Sequence, residues 1–201
     1  AISPARAFGI MPVKSLLTVS PGTSQTIVVK IKNTEKNNLT FKLSVFGMSQ
    51  DENGKPIFSR NIDVAESWVY PENNSVSLKL NETRSVNFII KIPADALPGA
   101  HYLGLAVEPV LEKGGQVSLQ TRLVSLLTLQ VKGMVSESVQ IEKWAPFDHI
   151  TDRKNWKFDL NFKNNGTVEV PLKGTLAFRN WKGEELFSEL VVLGNKLLAG
   201  S

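Results

Sequence analysis

The chain has 201 residues, 42% hydrophobic and 21% charged, with 23 Lys and Arg against 19 Asp and Glu for a net charge of +4; this is a globular profile, neither disordered nor fibrous. It contains no Cys and only His101 and His149, which excludes thiol nucleophiles, disulfides and Cys-based metal sites and leaves a His-dependent hydrolase little to work with. The basic residues are interspersed, with no run of five or six and no interleaved stacking aromatics, so nucleic acid is not an expected partner, and no apolar run approaches the roughly 18 residues that span a bilayer.

In chain order, Ala1-Ile2-Ser3-Pro4-Ala5-Arg6-Ala7 carries small residues of the kind found around signal-peptidase sites, and reads as an export-signal remnant or a disordered start. From there the pattern has period two. Gln25–Lys32 places Ile27, Val29 and Ile31 on one face and Thr26, Lys30 and Lys32 on the other. Leu39–Val45 alternates in the same way, and Arg84–Ile92 does so with Val86, Phe88, Ile90 and Ile92 inward. Turn signals punctuate these runs at Pro21-Gly22, Lys36-Asn37-Asn38, Glu52-Asn53-Gly54, Pro98-Gly99 and Gly114-Gly115. Asp51-Glu52-Asn53-Gly54-Lys55 is a hairpin with Asn-Gly in a type I′ turn; a calcium loop is the other reading, but it lacks the alternating acidic ligands and distal Glu.

Trp68-Val69-Tyr70-Pro71 alternates, so Trp68 and Tyr70 are expected on one face. Pro98-Gly99 turns the chain into a strand with Tyr102 just after the corner, which predicts a tyrosine corner. The functional alternative gathers Trp68, Tyr70, His101 and Tyr102 into a recognition surface for a ligand or partner.

After Gly133 the pattern restarts. Strands are expected near 135–144, 155–163 (Trp156, Phe158, Leu160 and Phe162 inward), 168–179 and 184–193, with Leu197-Leu198 beginning another. Asn164-Asn165-Gly166-Thr167 repeats the Asn-rich turn of Asn33–Asn38. The expected fold class is therefore all-β: tandem immunoglobulin-like β-sandwiches at 8–133 and 134–201. The second has room for roughly four or five strands and is expected to be incomplete, its natural chain continuing further.

Catalytic signatures are missing: there is no Gly-x-Ser-x-Gly elbow, His-Glu-x-x-His, Gly-x-Gly-x-x-Gly or phosphate-cradling loop. Asp148-His149 with Asp152 is the one cluster where His meets carboxylates, and it reads as an exposed turn. The sequons at Asn38, Asn73, Asn81 and Asn165 are expected by composition in an Asn-rich β-protein. A non-enzymatic protein without metal or cofactor is expected.

Two resemblances follow. Pro21-Gly22, Val29–Thr34, Trp68 with Pro71, and Val86–Gly104, which contains Ile92-Pro93-Ala94-Asp95-Ala96-Leu97-Pro98-Gly99, resemble the N-terminal domain of bacterial WxL-interacting cell-surface proteins. That resemblance implies an extracytoplasmic envelope protein binding cell-wall polymer such as peptidoglycan, or another surface protein, and reaching a membrane only through a C-terminal anchor beyond residue 201. The same segment also resembles periplasmic pilus chaperones, with Lys14 in the first strand and Arg122, in Gln120-Thr121-Arg122-Leu123, at the start of the last. This second resemblance implies that Lys14 and Arg122 anchor a client's terminal carboxylate and that an edge strand donates backbone hydrogen bonds to the client.

Overall fold

The computed structural model describes residues 8–110, 121–146 and 158–200. The 1–7 segment, the Gly114-Gly115 turn, the Asp148-His149-Asp152 cluster and the expected strand start at Asn155-Trp156 lie outside the described residues. The described chain is all-β apart from one short 3-10 turn, and it divides into two units: residues 1–49 with 57–133, and residues 50–56 with 134–201. Among the described residues no helix is long and apolar enough to cross a membrane.

The first unit contains β1 (Phe8–Met11), β2 (Lys14–Val19), β3 (Ser24–Asn33), β4 (Leu39–Gln50), β5 (Pro56–Ser59), the 3-10 turn (Val64–Ser67), β6 (Val69–Pro71), β7 (Ser75–Leu78), β8 (Thr83–Lys91), β9 (Gly99–Pro109) and β10 (Leu123–Val131). They form an immunoglobulin-like sandwich of two sheets. One runs β1-β3-β8-β6; the other runs β2-β10-β9-β4-β5, with β7 added beside the start of β4. The alternation in β3 and β8 sends Val29, Ile31, Phe88 and Ile90 inward, where they meet Phe41, Leu103, Leu105, Leu127 and Leu129 from the facing sheet. With no disulfide, this apolar layer holds the unit, at about 1.5–3 kcal/mol per fully buried side chain.

The chain changes sheets at both sides of the sandwich. After β1 pairs with β3, a cis Met11-Pro12 bond leads into β2, which runs parallel to β10 in the other sheet. On the far side, β6 pairs with β8, and the chain then crosses to β7 against β4.

The hairpin at Asp51–Lys55 is present with a different turn. Only Gly54 has positive φ, at 73°, while the Asp51 side chain accepts the N–H groups of Asn53 and Lys55 at 2.8 Å and Gly54 N–H reaches Asp51 C=O. A five-residue loop needs one left-handed residue where a type I′ turn needs two. Asn180–Glu184 repeats this construction, with Gly183 at φ 82°.

In the second unit, β11 (Val139–Pro146) pairs with β12 (Phe158–Asn164), and β13 (Val170–Arg179) pairs with β14 (Glu185–Leu197). Leu197 ends a strand instead of beginning one: after an irregularity at Pro171/Lys173, the pairs Pro171–Lys196 and Val170–Leu197 carry the ladder onward. The expected inward run on β12 also differs. Leu160 is 39% exposed and Phe162 half-buried, because a two-stranded sheet offers no covered face along its length.

Candidate functional site: an open half-edge on β10

The site is built by the late start of β2. Leu126 N–H donates to Val13 C=O at 2.8 Å and Lys132 N–H to Val19 C=O at 2.8 Å, so even-numbered residues of β10 turn their backbone groups toward β2. The ladder begins at the Leu126–Lys14 pair. Ahead of it Val124, and Arg122 just before the strand, have no ladder partner on that side among the described residues, although β1 passes close to β10, while Leu123–Ser125 remain paired with β9 on the other side. The Ser125 hydroxyl donates to Pro12 C=O at 2.6 Å and pins the crossing segment beside this gap. Met11 and Val13 of the crossing segment are exposed.

Lys14 and Arg122 are not brought together. Lys14 lies opposite Leu126, four residues past Arg122, which is about 13 Å at a strand's rise. Arg122 is drawn the other way: its Nε pairs with Glu108, and its guanidinium sits 4.4 Å from the Phe46 ring centroid. Arg60 approaches the same ring at 5.0 Å. Beside them Gly104 leaves room for Phe58 and Val124; a Cβ there would come within 2.7 Å of both. Cations on an aromatic face are held by the ring quadrupole and by their partial desolvation.

Trp68 and Tyr70 do not share a face, because Trp68 closes the 3-10 turn in a helical conformation instead of continuing a strand. It is buried at 7% exposure, whereas Tyr70 is 36% exposed. The Trp68 ring meets His101 edge-on with centroids 4.7 Å apart. His101 Nδ1 donates to Asp63 Oδ1 at 2.8 Å, the same oxygen accepts Ala65 N–H, and Oδ2 accepts Tyr102 N–H at 3.2 Å. Tyr102 is buried at 4% exposure. Of the expected recognition surface, Tyr70 alone is solvent-facing, and Lys91 lies over its ring at 5.6 Å. Lys91 is held above the ordinary lysine value by its interaction with the Tyr70 side chain.

Asp63 and Glu66 organise this end of the unit. They form a capping box, and Glu66 also accepts the N–H groups of Asn61 and Ile62. Gly47 makes the space: a Cβ would stand 2.5 Å from Ile62 and 2.6 Å from Glu66. Burial works to raise the Asp63 pKa, but the His101 hydrogen bond and the Ala65 and Tyr102 N–H groups outweigh it and hold the carboxyl below its usual value. Asp63-x-x-Glu66 was readable as a capping box from sequence. Phe46, Arg60 and Glu108 carry no comparable local signal, since cross-strand register alone places them near Arg122.

No family model and no curated protein matches this sequence. The fold defines the class, a two-unit all-β protein with an immunoglobulin-like sandwich, and solved structures share it. A chain of the chaperone–tip adhesin complex of CFA/I fimbriae is similar with a TM-score of 0.61 at 12% identity, over 97% of this chain and 83% of that one. The class 5 fimbriae chaperone CfaA is similar with a TM-score of 0.60 at 12% identity and the same coverages. A chain of the CsuC–CsuE chaperone–tip adhesion subunit pre-assembly complex from Acinetobacter baumannii gives 0.52 at 19% identity, over 97% and 87%. At these identities the likeness is one of fold. It agrees with the second of the two sequence resemblances and adds nothing to the first.

Proposed function

We propose that this chain is a non-enzymatic protein of the bacterial envelope, located outside the cytoplasm, that holds a client surface subunit by strand addition at the open half of β10. The observation that carries the reading is that, among the described residues, the backbone of Arg122 and Val124 has no ladder partner ahead of the Leu126–Lys14 pair. An extended client segment would supply the missing ladder, with backbone hydrogen bonds for affinity and alternate side chains for selection. The charge at Lys14 sets the direction. A segment running parallel to β10 ends with its C-terminal carboxylate against Lys14, whereas an antiparallel one brings its amino terminus there and is repelled. Arg122, already paired with Glu108 and stacked on Phe46, contributes a fixed positive field and a smaller share of the carboxylate's binding.

Fluorescence anisotropy with an alternating apolar peptide tests this reading. The free-acid peptide is expected to bind about tenfold more tightly than its C-terminal amide, with Lys14→Ala abolishing that difference and Arg122→Ala reducing it. Equal binding of the acid, the amide and a scrambled control would overturn the proposal. Retention on purified peptidoglycan, with no peptide binding, would return the reading to a cell-wall module.

A further inference from the structure

The second sheet crossing leaves a second open half-edge, on the opposite side of the first unit. β8 pairs with β3 from Thr83 through Lys91, but with β6 only opposite Phe88–Ile90. Glu72 N–H donates to Asn87 C=O and Lys91 N–H to Trp68 C=O, so odd-numbered residues of β8 turn their backbone groups toward the β6 side. Even-numbered positions face β3, as the bonds from Asn33 N–H to Glu82 C=O and from Ile92 N–H to Thr23 C=O establish. Thr83 and Ser85 thus direct N–H and C=O groups outward with no strand paired to them on that side among the described residues. Across the gap stands β7. Leu43 N–H donates to Asn74 C=O, which turns even-numbered backbone groups toward β4 and leaves those of Ser75 and Ser77 facing outward.

Between these two edges lies a groove of about 470 Å³, with Asn73, Ser75, Ser77, Arg84, Ser85 and Asn87 in its walls. Its charged groups are already engaged: Arg84 with Glu82, and Glu72 with the Asn87 side-chain amide at 2.9 Å. The rest of the wall is short amides and hydroxyls, with the largely covered side chains of Val76 and Val86 behind them.

We propose that this groove is a peptide-binding site that takes an extended, uncharged polar segment, rich in Ser, Thr, Asn or Gly, as an added strand along Thr83–Val86. Two unpaired strand edges facing one cavity are complementary to an extended backbone, because such a backbone alternates donors and acceptors to both sides. The three serines and two asparagines of the lining favour a hydrogen-bonding ligand over a bulky apolar one, whose burial would strip water from the hydroxyls without replacing their hydrogen bonds. The Arg84–Glu82 pair balances one charge, and the Glu72 carboxylate, held by the neutral Asn87 amide, disfavours an anionic ligand. This site goes beyond the client edge on β10 and is independent of it.

The absence of Cys from the chain makes the test direct. Asn73→Cys in the full chain gives a single tether for a decapeptide of alternating Thr and Asn, and amide exchange by NMR is the readout. The Thr83 and Ser85 amides are expected to exchange about tenfold more slowly with the peptide attached. A copy N-methylated at alternate residues is expected to lose that protection. In trans, Ser85→Pro removes the edge N–H without touching the core and is expected to weaken binding of the untethered peptide about tenfold; Ser85→Lys provides a second variant that keeps the N–H and crowds the groove. Lys14→Ala leaves this binding unchanged, which separates it from the β10 site. Unchanged exchange at Thr83 and Ser85, equal protection by the N-methylated copy, or retention of a soluble glycan at these residues in place of the peptide would overturn the proposal.

Discussion

Asn33 in the first unit and Asn164 in the second do the same job in different surroundings. Both are fully buried. Asn33 Nδ2 reaches the carbonyls of Asn37, Leu78 and Lys79 while its Oδ1 accepts Glu35 N–H. Asn164 Nδ2 reaches the carbonyls of Val168 and Leu197 while its Oδ1 accepts Gly166 N–H. Each closes its own turn and ties it to a distant strand. Around Asn33 the apolar positions are covered; in the second unit Trp144, Trp181, Leu186, Phe187, Leu190 and Val192 are exposed. The repeated turn is therefore set by local hydrogen bonding, and burial of a sandwich core is a separate achievement, reached among the described residues by the first unit.

Four measurements sharpen this contrast, beginning with the largest effect. Asn33→Ala leaves three carbonyls and an N–H group without the side chain that joins them, and should lower the stability of the first unit by about 2–4 kcal/mol in urea denaturation followed by tryptophan fluorescence. A change below about 1 kcal/mol would mean that water replaces the side chain. Asn164→Ala removes three bonds where Asn33→Ala removes four, and should cost about 1–2 kcal/mol, seen as faster amide exchange at Gly166 and near Leu197; a loss as large as that of Asn33→Ala would erase the distinction between the units.

Acidification acts on the first unit through Asp63. The Asp63 carboxyl lies below its unfolded value of 3.8, so its contribution is present above about pH 4 and is lost as pH falls through the lower folded value. Asp63→Asn should flatten the stability profile below pH 4, and an unchanged profile would remove Asp63 from the acid response. The smallest effect is expected at Trp181, which is 89% exposed. Trp181→Ser should shift stability by less than about 0.5 kcal/mol while reducing self-association in light scattering.

Much of the first sandwich was legible before any coordinates. Ile27, Val29 and Ile31, and Val86, Phe88 and Ile90, announce strands because side-chain direction alternates with residue number, a local property. The Asn-rich turns were legible for the same reason: Asn164 bonds to atoms two and four residues away. The candidate sites were less so. The open half of β10 depends on Lys14 meeting Leu126, and the open half of β8 on β6 stopping opposite Phe88. Both are pairings between remote segments, and no residue near either gap signals them. Trp68 was misplaced because Asp63 and Glu66 convert an apparently alternating stretch into a helical turn.

The parallel pairing of β2 with β10 has a mechanical consequence. Tension applied between a point ahead of β1 and a point beyond β10 pulls two parallel strands in opposite directions along their shared axis. The six residue pairs from Lys14–Leu126 to Val19–Val131 are then loaded together in shear, instead of parting one at a time as in an unzipping hairpin. The antiparallel β1–β3 ladder lies ahead of that clasp in the other sheet. A protein built this way resists extension along its length most strongly at the strand that borders its open edge.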